Sequence, residues 1–466
     1  MPFPSDLQPT AYSLQPSSGL QPVSIIGAGL AGTLLAILLA RRGERVRVFE
    51  RLPDMRRTAI PAGRSINLAL AARGIRALEL AGVMDQVSPL LIPMPGRMLH
   101  APDGELTFVP YGQGEHEVIY SVSRPGLNRI LLDAAESAGV ELQFGQGARE
   151  GDFDAGQVAM MDESRDVGWR LPMHRIIAAD GAGSVLRRSL VAALAVDCSE
   201  DLLEHGYKEL TLPPGSGGQH QIHKNALHIW PRGGFMLIAL PNLDGSFTLT
   251  LFLPRNGRES FASLTDADAI RGFFGRHFPD AMALLPDLAT EFLQHPTGIM
   301  GTVRCAHWSV DDRLLLVGDA AHAITPFHGQ GMNCAFEDCR ELDRVLRTQS
   351  DWPAAFASFE RTRRPNTDAI ADMAIENYGE MRDTVRDPKF QLQKALSLEL
   401  ERRFPDRFVP RYSMVMFHDE IPYAVALQRG RIQGEILAAL TRNANSLDEL
   451  DYSAAATLIQ QRLQPI

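Results

Sequence analysis

Val23 to Ala40 is an almost unbroken apolar run, and its length touches that of a membrane span. Three glycines, Gly27, Gly29 and Gly32, divide it. The pattern predicts a short buried strand over Val23 to Ile26, a tight turn over Gly27 to Gly32, and a helix from Leu30 to Arg42 closed by Gly43. Val46 and Val48 then alternate with polar neighbours up to Glu50, which predicts a second strand and so a βαβ opening. Pro125 starts a further helical period, Gly126 to Ser137, with Leu127, Ile130, Leu131 and Ala134 on one face. A short apolar strand over Ile176 to Ala179 runs into Asp180-Gly181.

Between Ala226 and Pro254 the period changes to two: Leu249, Leu251 and Leu253 share a face, and Asp244-Gly245 marks a turn between two apolar runs. An antiparallel sheet is expected there. The earlier pattern resumes at Arg313 to Val317, a strand ending in Gly318-Asp319, so the first domain is expected to be discontinuous. From Trp352 onward the chain reads as helical, with a strand signal only over Tyr412 to Phe417. The expected fold class is α/β: a discontinuous Rossmann-type nucleotide-binding domain (residues 23–75, 112–190 and 300–350), an antiparallel-sheet domain (76–111 and 191–299) and a C-terminal, mostly helical region (351–466). Residues 1–22, with Leu-Gln-Pro three times and no basic or apolar leader pattern, read as a flexible extension.

Composition narrows the function classes. With 45% hydrophobic and 22% charged residues over 466 positions, the chain has room for a large core. A formal net charge of -10 argues against nucleic acid and anionic membrane partners. The four cysteines, Cys198, Cys305, Cys334 and Cys339, contain no Cys-x-x-Cys pair, so no metal is expected and a reducing cytoplasm fits best.

Three motifs carry chemistry. Gly27-x-Gly29-x-x-Gly32, with Glu50 closing the next strand, brings a pyrophosphate close to a helix N-terminus and offers an acceptor to a ribose hydroxyl, without distinguishing FAD from NAD. Ala178-Ala179-Asp180-Gly181-Ala182-Gly183-Ser184 and Arg313 to Gly318-Asp319, continuing through Pro326-Phe327-His328-Gly329-Gln330-Gly331-Met332-Asn333, follow in order. Met332 and Asn333 begin a helix with Ala335, Cys339, Leu342 and Leu346 on its apolar face. Such a helix start favours negative charge in front of it. No second GxGxxG unit exists, because Gly215-Ser216-Gly217-Gly218 sits in a Pro-rich loop with no apolar helix after it.

In this order the three motifs resemble the group A flavoprotein monooxygenases. That resemblance implies FAD, with Gly27, Gly29, Leu30, Gly32, Glu50 and Arg51 around its ADP half, Arg124 and Asp180 at its middle, Asp319 at the ribityl chain, and Gly331, Met332 and Asn333 at the flavin edge. Gly63 to Leu70, Arg97-Met98-Leu99-His100, Pro110-Tyr111-Gly112, Tyr120 to Arg124, Tyr207-Lys208-Glu209-Leu210 and Phe327 to Asn333 sharpen it to the kynurenine 3-monooxygenase family, over Val23 to about Leu440. The resemblance implies NADPH- and O2-dependent hydroxylation of L-kynurenine to 3-hydroxykynurenine through a flavin C4a-hydroperoxide, with NADPH a transient co-substrate. It places Arg97 and Tyr111 on the substrate carboxylate, Asn377 and Tyr412 on the rest of the amino-acid tail, and Phe327 and His328 beside flavin and ring. A bidentate Arg fork suits a carboxylate.

Two departures qualify the transfer. Eukaryotic relatives carry a hydrophobic C-terminal anchor whose pattern is missing here, and family members vary between His and Phe at His328, so no proton-transfer role is assigned and no catalytic residue is named. A hydroxylase of another aromatic acid, a flavin-binding redox sensor and a NAD-dependent dehydrogenase are the competing readings. A homodimer is left open.

Overall fold

The structure, a computed structural model, describes residues 21–58, 67–114, 116–380 and 387–466. The extension up to residue 20 and the Gly63 to Ile66 part of the first family motif lie outside the described residues.

The βαβ opening forms as expected. Val23–Ile26 is a strand, Leu30–Arg41 a helix, and Val46–Glu50 the parallel neighbour strand. They belong to a six-stranded sheet ordered Ser309–Val310, Leu314–Leu316, Ile176–Ala178, Val23–Ile26, Val46–Glu50, Glu141–Phe144. All pairs are parallel except that of the edge strand Ser309–Val310. Both faces of its central strands are buried, which is why they read as continuous Val, Ile and Leu rather than as an alternation. Strands from residues 23, 176 and 314 lie side by side, so the parallel sheet is assembled from segments far apart in the chain.

A second, seven-stranded sheet runs Gly298–Cys305, Cys198–Leu212, Phe247–Pro254, Met236–Pro241, Leu227–Pro231, Gly96–His100, Leu106–Pro110. It is antiparallel except where Leu227–Pro231 pairs parallel with Gly96–His100. Leu249, Leu251 and Leu253 are fully buried against helices Ala267–His277 and Leu288–Gln294. Each such side chain stabilises the fold by about 1.5–3 kcal/mol relative to exposure. The boundary expected at residue 76 does not follow the packing. Ala77, Leu78, Val83 and Val87 join the core of the parallel sheet, and only the strands Gly96–His100 and Leu106–Pro110 cross to the other domain.

The C-terminal region consists mainly of helices Trp352–Gly379, Pro388–Arg403, Arg411–Met416, Tyr423–Thr441 and Tyr452–Arg462. Over Tyr412 to Phe417 the strand expectation was wrong. Pro410 starts a helix there, and Met414, Val415 and Met416 are buried against the Tyr423–Thr441 helix, so tertiary packing overrides β propensity. No helix among the described residues is long and apolar enough to cross a membrane.

Candidate active site

The two sheets, the small sheet Asn67–Leu70, Ile119–Ser123, Ile92–Met94, and the C-terminal helices enclose a cavity of about 470 Å3. At its nucleotide end, Gly27 has φ +106, and a Cβ there would lie 2.5 Å from the carbonyl oxygen of Ala179. A Cβ on Gly32 would lie 2.0 Å from the carbonyl oxygen of Gly27. Both positions therefore exclude any side chain. Gly29 has no atom within 4 Å of the same construction, leaving open ground before the amides that begin the Leu30–Arg41 helix. Glu50 is fixed in this turn, one carboxylate oxygen accepting from Ala28 N (2.8 Å) and the other from Leu52 N (2.8 Å). Arg51 is exposed just beyond it and does not line the cavity.

Farther along, the Ser123 hydroxyl accepts from Gly126 N and starts the Arg124–Ser137 helix, which sets Arg124 on the cavity wall. Asp180 sits behind Ala179, Gly181 and Ala182 of that wall. Burial raises its pKa, Ser184 and backbone amides oppose the rise, and its Oδ1 is enclosed without a hydrogen-bond partner. Asp319 lines the cavity directly after Gly318.

Gly331 and Met332 line the far end, where the helix Gly331–Thr348 begins. Asn333 does not reach the cavity through its side chain. Its Oδ1 accepts from Ala71 N (2.9 Å), and its Nδ2 donates to Ala69 O and Gly329 O. It is a brace that holds the helix start against the strand Asn67–Leu70; a Cβ on Gly74 would meet its Oδ1 at 2.5 Å. The open ground at Gly29, the enclosed acceptor of Asp180, and helix starts at both ends fit a dinucleotide flavin such as FAD.

Behind this helix start lies a buried charge network. Asp338 accepts from Gly318 N (3.0 Å), His322 Nε2 (2.5 Å) and Arg363 Nε (2.8 Å). Burial alone would raise its pKa, but His322 and Arg363 prevail and hold it below the ordinary carboxylate range. Glu337 is bridged by Arg363 (2.7 Å) and by Arg73, which also donates to backbone carbonyls at Ile421 and His418. His322, Cys334 and Asp338 have the donor atoms of a cation site, yet both Asp338 oxygens are occupied and Arg363 also faces Cys334, so the cluster reads as support for the Gly318-Asp319 turn.

The other half of the cavity is aromatic around a cation. The guanidinium carbon of Arg97, on the strand Gly96–His100, lies 5.0 Å from the ring centre of Tyr412 and 5.4 Å from that of Tyr111. The two phenol rings stack at 5.3 Å, and His328 stacks on Tyr412 at 5.4 Å. Arg97 has no carboxylate partner among the described residues; burial opposes its charge, the Tyr412 and Tyr111 phenols favour it, and its Nε is enclosed without a hydrogen bond. Burial, reinforced by Arg411 and Arg97, pushes the His328 pKa down to about 3, so its imidazole is neutral at physiological pH.

Arg97, Tyr412, Phe327 and His328 line the cavity, whereas Tyr111 and Asn377 stand one layer back. Asn377 Nδ2 donates to the Phe327 carbonyl (2.6 Å), and Phe327 stacks on Tyr378 at 3.9 Å. Sequence reasoning missed the apolar wall formed by Met94, Leu227, Met236, Ile238, Leu240 and Phe252. Its signal was present: in Met236–Pro241 and Phe247–Pro254 both alternating faces are apolar or small, as expected of strands with a core on one side and a dry pocket on the other.

A parallel-sheet dinucleotide turn joined to an apolar pocket with an enclosed cation defines a dinucleotide-dependent enzyme with a small-molecule site. Residues 21–374 match the family model "FAD binding domain". A kynurenine 3-monooxygenase from Myxococcus xanthus (strain DK1622) is 47% identical over 444 residues, spanning 95% of this chain and 96% of that relative. One from Stenotrophomonas maltophilia (strain K279a) is 48% identical over 441 residues, spanning 95% and 97%. Among solved structures, 2-methyl-3-hydroxypyridine-5-carboxylic acid oxygenase superposes with a TM-score of 0.63 at 20% identity, covering 79% of this chain and 94% of that one. Pseudomonas aeruginosa PqsL in complex with 2-aminobenzoylacetate does so at 0.62 and 24% identity, covering 78% and 96%. The chain belongs to the kynurenine 3-monooxygenase family of FAD-binding monooxygenases.

Proposed function

We propose that this protein hydroxylates L-kynurenine to 3-hydroxykynurenine, consuming NADPH and O2, with FAD held along the wall from Gly29 through Arg124 and Asp319 to Gly331. The observation that carries the substrate reading is Arg97, a cation enclosed by two phenols, with no carboxylate partner among the described residues, facing an apolar cavity. An enclosed cation without a counter-ion is costly and is stabilised by an anionic ligand. The α-carboxylate of an amino acid supplies that charge in the geometry an Arg fork matches.

FAD held by Gly29, Arg124, Asp319 and Gly331 would supply hydride acceptance from NADPH and the activation of oxygen for transfer to the substrate ring. The rest falls to this chain's residues. Arg97 holds the carboxylate, Tyr412 and Tyr111 shape the anchor around it, and Asn377 fixes the backbone that presents Phe327 and His328. The ring then lies against Met236, Ile238, Leu240 and Phe252, which keep water away from the reacting carbon. The ring amino group of kynurenine donates electron density to that carbon, so no protein base is needed. A neutral His328 suits a packing role there.

The test is NADPH oxidation by the FAD-loaded protein with and without L-kynurenine, with product mass and hydrogen peroxide followed together. Stimulated oxidation giving a product heavier by one oxygen supports the reading. Stimulation with peroxide alone makes kynurenine an effector, and no stimulation removes it as the substrate.

A further inference from the structure

A second cavity, of about 420 Å3, continues the first along the cleft between the seven-stranded sheet and the small sheet. Six strands contribute to both, three of them as follows. Tyr207, Thr250 and Ile119 line the first cavity; Glu209, Thr248 and Ser121, two residues along the same strands, line the second. Two residues of strand carry a side chain about 7 Å onward on the same face, so these are successive compartments of one cleft. Asn67 lines both and forms the partition, its Nδ2 directed to Ser121 Oγ (3.1 Å), Pro241 O (2.9 Å) and Asn242 Oδ1 (2.6 Å).

The chemistry of the second compartment differs from that of the first. Among the described residues, no Lys or Arg lines it. Its side-chain donors are largely spent internally: Ser121 Oγ donates to Pro241 O, Asn242 Nδ2 to Ser246 and Thr248, and His295 Nδ1 is bonded to Glu209 O. Among the described residues the Glu209 carboxylate has no hydrogen-bond or ion-pair partner, although His295 and Arg124 act on it through space, the residue is only 6% exposed, and it shares the strand face of Tyr207. A compartment with unspent acceptors and an acidic group rejects carboxylates and phosphates and suits a neutral or cationic hydrogen-bond donor. Among the participants in the proposed reaction, kynurenine's ammonium is tied to the carboxylate that Arg97 would hold in the first compartment, and FAD brings a pyrophosphate. A nicotinamide ring brings a carboxamide N–H2 and becomes cationic once its hydride, with its electron pair, has left to reduce the flavin.

We propose that this second compartment receives the nicotinamide end of NADPH, with the Glu209 carboxylate accepting from its carboxamide and favouring the oxidised, cationic ring. The inference rests on the reading that the enzyme is reduced by NADPH, and it gives the Tyr207-Lys208-Glu209-Leu210 segment a role. Burial supports it by raising Glu209 to a pKa of about 7, so that an adjacent positive ring favours its ionised form.

The test uses FAD-loaded protein and NADP as a redox-inert probe in equilibrium dialysis, with Glu209→Gln and Thr248→Met as variants; the second narrows the compartment from the neighbouring strand. Both are expected to weaken NADP binding, Glu209→Gln by about tenfold as a charged hydrogen bond is lost, while FAD absorbance and the kynurenine titration stay as in the wild type. Should Glu209→Gln fail to hold FAD, Thr248→Met decides. NADP affinity within twofold of the wild type in the FAD-loaded variants overturns the proposal. Failure of the underlying reading has a separate signature, a wild-type flavin that NADPH does not reduce, and the proposal falls with it.

Discussion

The guanidinium of Arg97, on a strand of the substrate-facing sheet, lies 5.0 Å from the ring of Tyr412, on a C-terminal helix. The contact joins two regions that meet only in the folded chain, and it places an enclosed positive charge where the proposed substrate carboxylate belongs.

Arg97→Ala is therefore expected to weaken kynurenine binding by roughly 30-fold or more, because an enclosed charge pair is worth about 2–5 kcal/mol when one partner is removed. Arg97→Lys keeps the charge but loses the fork, so its affinity falls in between. Kynurenine titration of the flavin absorbance checks both, and peroxide release should rise as positioning fails. Unchanged affinity in Arg97→Ala removes the residue from the anchor.

At the nucleotide end, Gly32→Ala places a methyl 2.0 Å from the Gly27 carbonyl oxygen, a distance only backbone movement can relieve. The variant is expected to purify with little or no flavin. The ratio of flavin to protein absorbance measures this, and a wild-type ratio would show that the turn can shift without loss of the site.

Tyr423 OH donates to Gln330 Oε1 (2.6 Å), and Gln330 Nε2 donates to Met416 Sδ (3.0 Å), linking a C-terminal helix to the loop before Gly331. Tyr423→Phe leaves the buried Gln330 oxygen without its donor. The expected cost is about 1–3 kcal/mol, a fall of a few degrees in Tm, with more peroxide released per NADPH as the Phe327 to Gln330 loop loosens. Melting and coupling assays that both match the wild type would show the bond to be dispensable.

His328 has its pKa lowered to about 3 by burial, with Arg411 and Arg97 adding to the fall, from an ordinary value near 6.5. Below about pH 6.5 the unfolded chain binds a proton that the folded chain refuses, so this contribution to stability is intact above 6.5 and is lost as pH falls toward 3. The His328→Phe variant should lose less stability than the wild type over that window, and its kynurenine affinity should show the same pH dependence between 7 and 9. Parallel melting curves from pH 7 to 4 would contradict this account.

Much of the fold was legible because its signals are local. The glycine spacing at residues 27, 29 and 32, the Gly318-Asp319 turn and the period-two pattern of Phe247–Pro254 each follow from the backbone needs of a few consecutive residues. The site was legible only through family motifs. Arg97, Tyr111, Asn377 and Tyr412 carry no local pattern that separates them from an ordinary surface charge, core phenol or helix amide. The motif did not show that the Asn333 side chain braces the helix start, since its partners at Ala69, Ala71 and Gly329 are set by the fold.

By itself, the sequence determined that a dinucleotide lies on a parallel sheet and that a second sheet is interleaved with it, because turn sterics and hydrophobic period are properties of neighbouring residues. Tertiary structure decided the rest. It made Tyr412 to Phe417 a helix by burying Met414 to Met416, gathered Arg97 and Tyr412 around one cavity, and set Glu209 on the wall of a second compartment. Burial and counter-charge depend on what the whole chain brings into contact, and no local pattern encodes them.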